Sequence, residues 1–306
     1  MRRILLIIAV LLPLVSSAQE KRTYTFVERD SALRLDVWSP EVPRGDRACV
    51  VAVFGGGFVS GRRDDQLQQS IARQLTARGY TVVSPDYRLG LLDTVHNKQY
   101  KGISGITNMF QHTIDMAAGD CAAAVAYVVQ HAGTLNINPE RIVLTGCSAG
   151  AIAVLQLDYC RANGLAAAAE LPQGWMPAAV VPYAGAVMCK GKPSYQSAPA
   201  PTMLMHGTKD KIVSYKKFPR LLKHALYGAD KVFDAFVKGG YPCWIVRCEG
   251  VGHEVASFLP NSVDLFCGFV EQVFSGRRTT VDATFRDEKL LPTEWTTMTV
   301  IDLYAK

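Results

Sequence analysis

The chain has 306 residues, of which 33 are Lys or Arg, 27 are Asp or Glu and 49% are hydrophobic, and its net charge is +6. This length is sufficient for one large α/β domain with a core of its own. The basic residues are scattered, so the charge does not indicate a nucleic acid partner. The only close basic pair, Arg62-Arg63, is followed at once by Asp64-Asp65, which is typical of a solvated turn.

Residues 1–18 have the pattern of a signal peptide. Arg2 and Arg3 precede an apolar run over residues 4–15, which ends in Ser16-Ser17-Ala18. The run is too short to cross a bilayer as a helix, which needs about 20 apolar residues. We therefore expect cleavage after Ala18, export to the periplasm or the medium, and no stable membrane insertion. Loss of the two arginines lowers the net charge to +4.

Short β-branched runs alternate with helical patterns along the rest of the chain, which predicts an α/β fold with a mostly parallel sheet of about eight strands and helices on both faces. The first two strands, joined at Asp30-Ser31, are expected to form an antiparallel hairpin at one edge. The predicted strands are residues 24–27, 33–38, 49–54, 81–84, 142–145, 179–182, 203–206 and 244–248. The predicted helices are residues 66–78, 115–131, 149–161, 214–227 and 262–274.

Two stretches do not fit this alternation, residues 89–111 and residues 162–176. Both follow strand ends that are expected to face the same way, where binding loops collect, so we interpret them as a small cap. The alternative is that they are variable surface loops without a role in binding. Residues 19–276 are assigned to the main domain. Residues 277–306 form a C-terminal extension in which residues 279–285 and 296–303 suggest one or two added strands.

Eight cysteines allow 105 pairings, and the sequence does not select one. Cys49, Cys121 and Cys147 lie in apolar patterns, which favours buried thiols for these three. No cysteine or histidine spacing is typical of zinc, so neither a metal nor another cofactor is predicted. The oligomeric state is left open.

Gly146-Cys147-Ser148-Ala149-Gly150 follows a predicted strand and opens a predicted helix. This is the context of a nucleophile elbow, a sharp turn that exposes a serine hydroxyl and that only small neighbours permit. We predict Ser148 as the nucleophile. The alternative is a glycine-rich turn in which Ser148 only caps the helix.

Attack on an ester turns the carbonyl oxygen into an oxyanion, which needs backbone N–H donors. Phe54-Gly55-Gly56-Gly57-Phe58 leaves the third predicted strand and can bring its main chain close to a substrate. The amides of Gly56, Gly57 and Ala149 are the predicted donors of an oxyanion hole.

The general base is predicted to be His253, because it follows a strand in a glycine-containing loop that can fold over the sheet edge. Asp210, in His206-Gly207-Thr208-Lys209-Asp210 after another strand, is predicted to orient it. His206 is expected to hold its own loop. Ser148, Asp210 and His253 then occur in the chain order typical of the α/β-hydrolase fold. The remaining histidines and the aspartates at 93, 158 and 234 fit these roles less well.

These motifs together resemble the α/β-hydrolases of the esterase group, which includes bacterial hormone-sensitive-lipase-like enzymes and short polysaccharide esterases. The resemblance covers residues 24–275 and rests on six segments. They are residues 33–38, 55–58, 86–89, 146–150, 206–210 and 252–253. It implies an α/β-hydrolase fold, a serine esterase activity without a cofactor, and structural roles for Asp86 and Arg88 beneath the oxyanion loop.

One departure from the pattern is Phe54, where hormone-sensitive-lipase-like enzymes usually carry His. The expected substrate is a small-molecule or carbohydrate-linked ester, with acetyl or hydroxycinnamoyl groups on polysaccharides suggested by the resemblance alone. Two alternatives remain, a prolyl-oligopeptidase-like peptidase and a catalytically silent binding protein. Polar residues interrupt the two cap stretches, and their apolar side chains are few, so a modest pocket for short or aromatic acyl groups is expected. Those apolar residues are Tyr100, Met109, Phe110, Trp175 and Met176.

Overall fold

The structure is a computed structural model and describes residues 20–92 and 102–304. The predicted signal peptide, Asp93, His96 and Tyr100 lie outside the described residues. Twelve strands are present within them: β1 (Lys21–Glu28), β2 (Ala32–Trp38), β3 (Cys49–Val53), β4 (Thr81–Pro85), β5 (Ile142–Cys147), β6 (Ala179–Tyr183), β7 (Ala186–Lys190), β8 (Thr202–Gly207), β9 (Lys217–Phe218), β10 (His224–Gly228), β11 (Cys243–Cys248) and β12 (Val281–Phe285).

Nine of these strands form one central sheet in the order β1-β2-β4-β3-β5-β6-β8-β11-β12. β2 is antiparallel to both of its neighbours, and the strands from β4 to β12 run parallel. The predicted α/β class and the antiparallel hairpin at one edge are confirmed. The sheet has nine strands instead of about eight, because β12 adds to β11 at the far edge, with Val281 opposite Trp244.

Helices cover both faces of the sheet. The described helices are α1 (Gln66–Thr76), α2 (Gly102–Gln130), α3 (Ala149–Ala162), α4 (Ala229–Gly239), α5 (Val263–Phe274), α6 (Glu294–Thr297) and α7 (Val300–Tyr304). Successive residues of β3 point to opposite faces, so Val51 packs with α2, α3 and α4, whereas Val50 packs with α1 and α5. The two apolar cores therefore lie on either side of the sheet.

The predicted helix at residues 214–227 is wrong. This segment contains β9 and β10, which pair with β7 in a separate three-stranded antiparallel sheet. Its apolar spacing is close to helical, but Pro219 lacks the amide donor that a helix interior needs, and Leu221 is 96% exposed. The helix at this point of the chain is α4, whose apolar residues Val232, Phe233 and Phe236 precede a left-handed stop at Gly240.

The prediction of a strand within residues 296–303 is also wrong, because this segment is helical around α6 and α7. Threonine favours strands, but here it caps helices. The Thr293 hydroxyl accepts a hydrogen bond from the amide of Trp295. Thr299 and Asp302 form reciprocal side-chain bonds to each other's amides at the start of α7, which is a capping box.

The two stretches interpreted as a cap differ in structure. Residues 102–111 are the first turns of α2, which begins well before the predicted start at residue 115. Residues 162–176 pack beside α2 and α3 and contain a short 3-10 turn. The side chain of Trp175 donates to the carbonyl oxygen of Pro139, on another part of the surface from Ser148.

All eight cysteines are free thiols, and seven of them are buried. Cys49, Cys121 and Cys147 are among the buried ones, as predicted. Burial raises the pKa of the Cys147 thiol to about 12. In the described ranges, 20–92 and 102–304, we find no helix with the length and apolar character to cross a membrane.

Candidate active site

Ser148 stands at the sharp turn between β5 and α3. Its backbone has φ 52° and ψ −117°, which a residue with a side chain rarely adopts and which costs about 1–3 kcal/mol. The turn is held because the Ser148 amide donates to the carbonyl of Tyr183 at 2.9 Å. A Cβ on Gly146 would lie 2.4 Å from the carbonyl of Gly150, and one on Gly150 would lie 2.2 Å from the carbonyl oxygen of Val53. Both glycines of the motif are therefore sterically required.

His253 follows β11 and lies over the nucleophile. Its Nε2 is 2.8 Å from Oγ of Ser148, and the residue is only 7% exposed. The preceding Gly252 allows this placement, because a Cβ there would lie 2.6 Å from Cα of Thr296. The loop that carries Asp210 packs against the same main chain, since a Cβ on Gly207 would lie 2.1 Å from the carbonyl oxygen of Gly252.

Asp210 is buried and receives hydrogen bonds on both carboxylate oxygens. Oδ2 lies 2.8 Å from Nδ1 of His253, and Oδ1 accepts from the amides of Ile212 and Val213 at 2.9 and 3.0 Å. Burial raises the pKa of Asp210, but the charge of His253 and the hydrogen bonds from His206 and His253 outweigh it, so the pKa falls to about 2. An ionised carboxylate only accepts, so Nδ1 of His253 carries the proton and Nε2 presents its lone pair to Ser148.

A second histidine contacts the same carboxylate. Nε2 of His206 lies 3.2 Å from Oδ2 of Asp210 and 2.9 Å from the carbonyl oxygen of Val213. Both partners are acceptors, so the proton of His206 is on Nε2. His206 was predicted from the sequence to hold its own loop, and the contact with the Val213 carbonyl agrees with this. The contact of His206 with Asp210 was not predicted. The spacing of His206 and Asp210 on either side of a Gly-containing turn is the signal that could have indicated it.

The glycine-rich loop after β3 runs directly past the nucleophile. A Cβ on Gly55 would lie 2.9 Å from the carbonyl oxygen of Cys147 and 3.3 Å from Cβ of Ser148. Gly56 and Gly57 have φ values of 125° and 62°, which favour glycine. The loop can therefore approach the hydroxyl only because it lacks side chains.

Hydrogen bonds fix the direction of the amides in this loop. The carbonyl oxygen of Gly56 accepts from the amides of Val59 and Ser60 at 3.1 and 3.0 Å. In a planar trans peptide the N–H group points away from the carbonyl, so the Gly57 amide faces out of the turn. Gly57 and Ala149, two of the three predicted donors, line one cavity with Ser148, whereas Gly56 does not line it.

Aromatic and charged residues support this loop from below. The ring of Phe54 is buried and stacks on Tyr87 with 4.4 Å between centroids, and the Tyr87 hydroxyl donates to the Phe54 carbonyl at 3.1 Å. Phe54 thus points into the core. Asp86 binds Arg63, just after the loop, with both carboxylate oxygens at 2.9 and 3.1 Å from Nη1. Arg88 binds the buried carboxylate of Asp120 on α2 at 2.8 Å.

The cavity beside Ser148 is narrow and almost wholly apolar, with a free volume of about 50 Å³. Parts of α2, the second sheet, the Asp210 loop and α7 form its wall. Apart from Ser148 and its two neighbouring backbone donors, it is lined by Phe58, Ile106, Thr107, Phe110, Ile114, Ile152, Met188, Ile212, Val213, Phe218, Pro219, Leu226, Val300, Leu303 and Tyr304. Residues 162–176, predicted to help form the pocket, do not line it. Phe110 lines the cavity, as predicted. Val300, Leu303 and Tyr304 also line it, although no part of the C-terminal extension was predicted to form the pocket.

The other candidate residues lie elsewhere. His131 contacts the carbonyl of Tyr127 in its own helix. His224, in β10, contacts Gln111. Asp158 accepts from Arg161 and from the amide of Ala200, and Asp234 pairs with Lys231. Each therefore has a structural contact away from Ser148.

Comparisons with known proteins agree with this fold. The model of the BD-FAE family matches residues 35–162. Lipase 2 of Moraxella sp. (strain TA144) is 31% identical over 106 residues, which are 34% of this chain and 20% of that protein. Gut esterase 1 of Caenorhabditis briggsae is 28% identical over 128 residues, 42% of this chain and 21% of that protein. The chain thus spans about a fifth of the length of the curated relatives it matches.

Solved structures of esterase 2 from Thermogutta terrifontis are similar over most of the fold. The native form has a TM-score of 0.58 and 19% identity, and the match covers 83% of this chain and 92% of that one. The form phosphoramylated by tabun has a TM-score of 0.57 and 18% identity, with 83% and 94% covered. The strand order, the elbow and these similarities lead to one conclusion: the chain has the α/β-hydrolase fold and is similar to esterases and lipases.

Proposed function

We propose that the chain is a serine esterase that cleaves carboxylic esters with short acyl groups. The observation that carries the proposal is the continuous pair of 2.8 Å contacts, Ser148 Oγ to His253 Nε2 and His253 Nδ1 to Asp210 Oδ2. This arrangement can remove a proton from the hydroxyl as it attacks and can stabilise the imidazolium that forms.

In the first half of the proposed reaction, Oγ of Ser148 bonds to the acyl carbon while His253 takes the hydroxyl proton. The carbonyl oxygen becomes an oxyanion, which the amides of Gly57 and Ala149 are suited to bind. The amide of Gly56, the third predicted donor, precedes Gly57 in the chain and does not line the cavity. The bond between the acyl carbon and the alcohol oxygen then breaks, and His253 gives its proton to that oxygen. The acyl group remains on Ser148 as an ester.

In the second half, water takes the place of the alcohol. His253 accepts a proton from water, the water oxygen bonds to the acyl carbon, and the bond to Oγ breaks. His253 returns the proton to Oγ, which releases the carboxylic acid and restores the starting state. The chain's own residues supply every proton transfer in this scheme.

The cavity supports an acyl group of two to four carbons. It is apolar and meets Ser148 and Ala149, whereas His253, which protonates the leaving alcohol, does not line it. We therefore assign the cavity to the acyl side. A free volume of about 50 Å³ has room for roughly three or four carbon-sized atoms, since a water needs about 10–15 Å³ on this scale. The Thermogutta terrifontis esterase, similar in fold, has been solved with propionate and with butyrate bound.

The alcohol side opens toward solvent near Trp295. This ring is 38% exposed, and its centroid is 6.2 Å from that of the His253 ring. An exposed aromatic face next to the group that protonates the alcohol suits a flat or cyclic alcohol, such as a phenol or a sugar. A carbohydrate-linked ester is compatible with this side of the site.

The test uses p-nitrophenyl acetate, butyrate and octanoate, a hydroxycinnamoyl ester and a peptide p-nitroanilide with the purified chain. Ser148→Ala should lower ester hydrolysis by several powers of ten without changing the melting temperature by more than a few degrees. Paraoxon, which phosphorylates the Thermogutta terrifontis esterase, should add one phosphoryl group at Ser148. Equal ester rates for both chains would overturn the proposal, and cleavage of the anilide in preference to the esters would favour a peptidase.

We further propose that the protein is exported and that residues 1–18 are removed. The support is the order of Arg2 and Arg3, an apolar run and small residues at Ser16-Ser17-Ala18. Mass spectrometry of the exported protein should find Gln19 at its N-terminus. A mature protein that retains Met1 would contradict this.

A further inference from the structure

Residues 293–304, here named the C-terminal clasp, are bound to the loop that carries His253. The contact is made by Glu254, the next residue in the chain. Its Oε1 accepts hydrogen bonds from the Thr293 amide at 2.7 Å, the Thr293 hydroxyl at 2.9 Å and the Thr296 hydroxyl. Its Oε2 accepts from the amide of Gly252 at 2.7 Å. Burial raises the pKa of Glu254, but these hydrogen bonds outweigh it and lower the pKa, so the carboxylate is charged at neutral pH.

The clasp also contacts the other two loops of the site. Thr299 forms a parallel bridge with Lys211, directly after Asp210. The hydroxyl of Tyr304 donates to the carbonyl oxygen of Gly57 in the oxyanion loop at 2.7 Å. Its ring packs edge-on against Phe110, with 5.9 Å between centroids. One short segment thus contacts the His253 loop, the Asp210 loop and the oxyanion loop.

Between these contacts, the clasp closes one wall of the acyl cavity. Val300, Leu303 and Tyr304 all line it. Cδ2 of Leu303 lies 3.3 Å from the place where a Cβ on Gly57 would be, so the side chain reaches the oxyanion loop. The remaining wall consists of residues in α2, α3, the three-stranded sheet and the Asp210 and oxyanion loops, many of which are part of the core. Leu303 and Tyr304 pack against this core from its edge, so they can be altered without removing a fully buried side chain.

We propose that the C-terminal clasp determines which acyl groups reach Ser148. Val300 and Leu303 limit the length of the acyl chain, and Tyr304 is a positioning residue that holds the carbonyl of Gly57, the residue whose amide is a proposed oxyanion donor. This inference rests on the proposed esterase function and extends it to the origin of specificity. The Gly57 carbonyl and the Gly57 amide belong to adjacent peptide planes that meet at the Cα of Gly57, so the hydrogen bond from Tyr304 acts on the donor amide by limiting rotation of this glycine.

The first experiment compares kcat/KM for p-nitrophenyl hexanoate and acetate. Leu303→Ala removes three carbons from the cavity wall and should raise the hexanoate-to-acetate ratio at least tenfold. Val300→Phe adds atoms to the same wall and should lower the butyrate-to-acetate ratio. The matched control is Leu291→Ala, since Leu291 is 63% exposed and lies outside the cavity lining. Its ratios should equal those of the parent chain.

The second experiment separates positioning from packing at Tyr304. Tyr304→Phe keeps the ring against Phe110 but removes the hydroxyl from Gly57, so kcat should fall about tenfold while KM and the chain-length ratio stay unchanged. The control is Tyr80→Phe, which removes a hydroxyl that contacts Glu271 in the core on the opposite face of the sheet. That variant should keep the parent kcat.

The outcomes distinguish the two proposals. A parent chain with no esterase activity above Ser148→Ala would overturn both. An active parent whose ratios do not change in Leu303→Ala or Val300→Phe would overturn only the role of the clasp in specificity. If Leu303→Ala does not fold by circular dichroism, Leu303→Val carries the same comparison with a smaller expected change, about threefold. A Tyr304→Phe variant with the parent kcat would overturn the positioning role.

Discussion

Nε2 of His206 and Oδ2 of Asp210 lie 3.2 Å apart, both fully enclosed by the protein. That same oxygen is 2.8 Å from Nδ1 of His253. The carboxylate therefore serves two imidazole donors at one oxygen and two backbone donors at the other. Four donors fix the plane of the carboxylate, and through it the plane of the His253 ring.

His206→Leu should lower kcat about tenfold, equivalent to about 1.4 kcal/mol, with little change in KM. The reason is that Asp210 loses one of its donors and can rotate, which misaligns His253. His206→Gln should retain more activity, because its amide nitrogen can reach the same carboxylate oxygen. The control is His131→Leu, at a helix end away from the site. A kcat for His206→Leu equal to those of His131→Leu and the parent would contradict a positioning role for His206.

Asp210→Asn should lower kcat about 10⁴-fold. The backbone amides at Oδ1 will retain the side-chain oxygen of Asn there, so its NH₂ group takes the place of Oδ2. That group then faces the N–H of His253, which favours the other tautomer, with a proton on Nε2 pointing at Ser148. Steady-state kinetics on the acetate ester measures the loss, and a rate within tenfold of the parent would mean that another carboxylate orients His253.

Lowering the pH should reduce the free energy of unfolding of the parent chain more than that of Asp210→Asn. The pKa of Asp210 in the folded chain is about 2, below the value of about 3.9 for an unfolded Asp. Its contribution to the free energy of unfolding is thus present in full above about pH 4 to 5 and is lost as pH falls through about 2. The difference in free energy of unfolding between the two chains should change by about 2–3 kcal/mol over this interval, as measured by urea titration.

Gly55→Ala should impair activity more than stability. The added Cβ would lie 3.3 Å from Cβ of Ser148 and 2.9 Å from the Cys147 carbonyl oxygen, so the loop must move away from the nucleophile. We expect a fall in kcat of at least 100-fold, determined with the acetate ester. The control is Gly268→Ala on the exposed side of α5, where a Cβ has open space. It should keep full activity and gain up to about 1 kcal/mol of stability, since Ala favours helices.

Trp295→Ala should raise KM for esters of phenols and sugars more than for ethyl esters of the same acid. The ring centroid lies 6.2 Å from that of His253, and Trp295 does not line the acyl cavity, so in the proposed site its loss removes a contact with the alcohol and leaves the acyl cavity unchanged. Comparison of KM for phenyl and ethyl butyrate checks this. An equal change for both esters would assign Trp295 a structural role in place of an alcohol contact.

The parts of the fold that followed from the sequence are those in which local pattern and tertiary packing agree. The apolar segments before Ser148 and before His253 have the sequence pattern of a strand, and the structure buries both of them as strands of the central sheet. The helix predicted at residues 214–227 was wrong because apolar residues with helical spacing belong there to a short antiparallel sheet. The strand predicted within residues 296–303 was wrong because threonine is found both in strands and at the caps of helices. The contact of Tyr304 with Gly57 joins residues 247 positions apart, and no local signal reports a contact at that separation.

Cys147 is one residue from the nucleophile, yet its side chain lies in the core on the face covered by α1 and α5. A maleimide can reach this thiol only when that face opens, because Cys147 is 2% exposed. The rate at which maleimide labels Cys147 therefore measures how often the protein opens locally beneath the elbow. Because Cys147 precedes Ser148, whose backbone is held at φ 52°, this thiol reports how often the packing beneath the strained turn opens, and no probe has to enter the cavity.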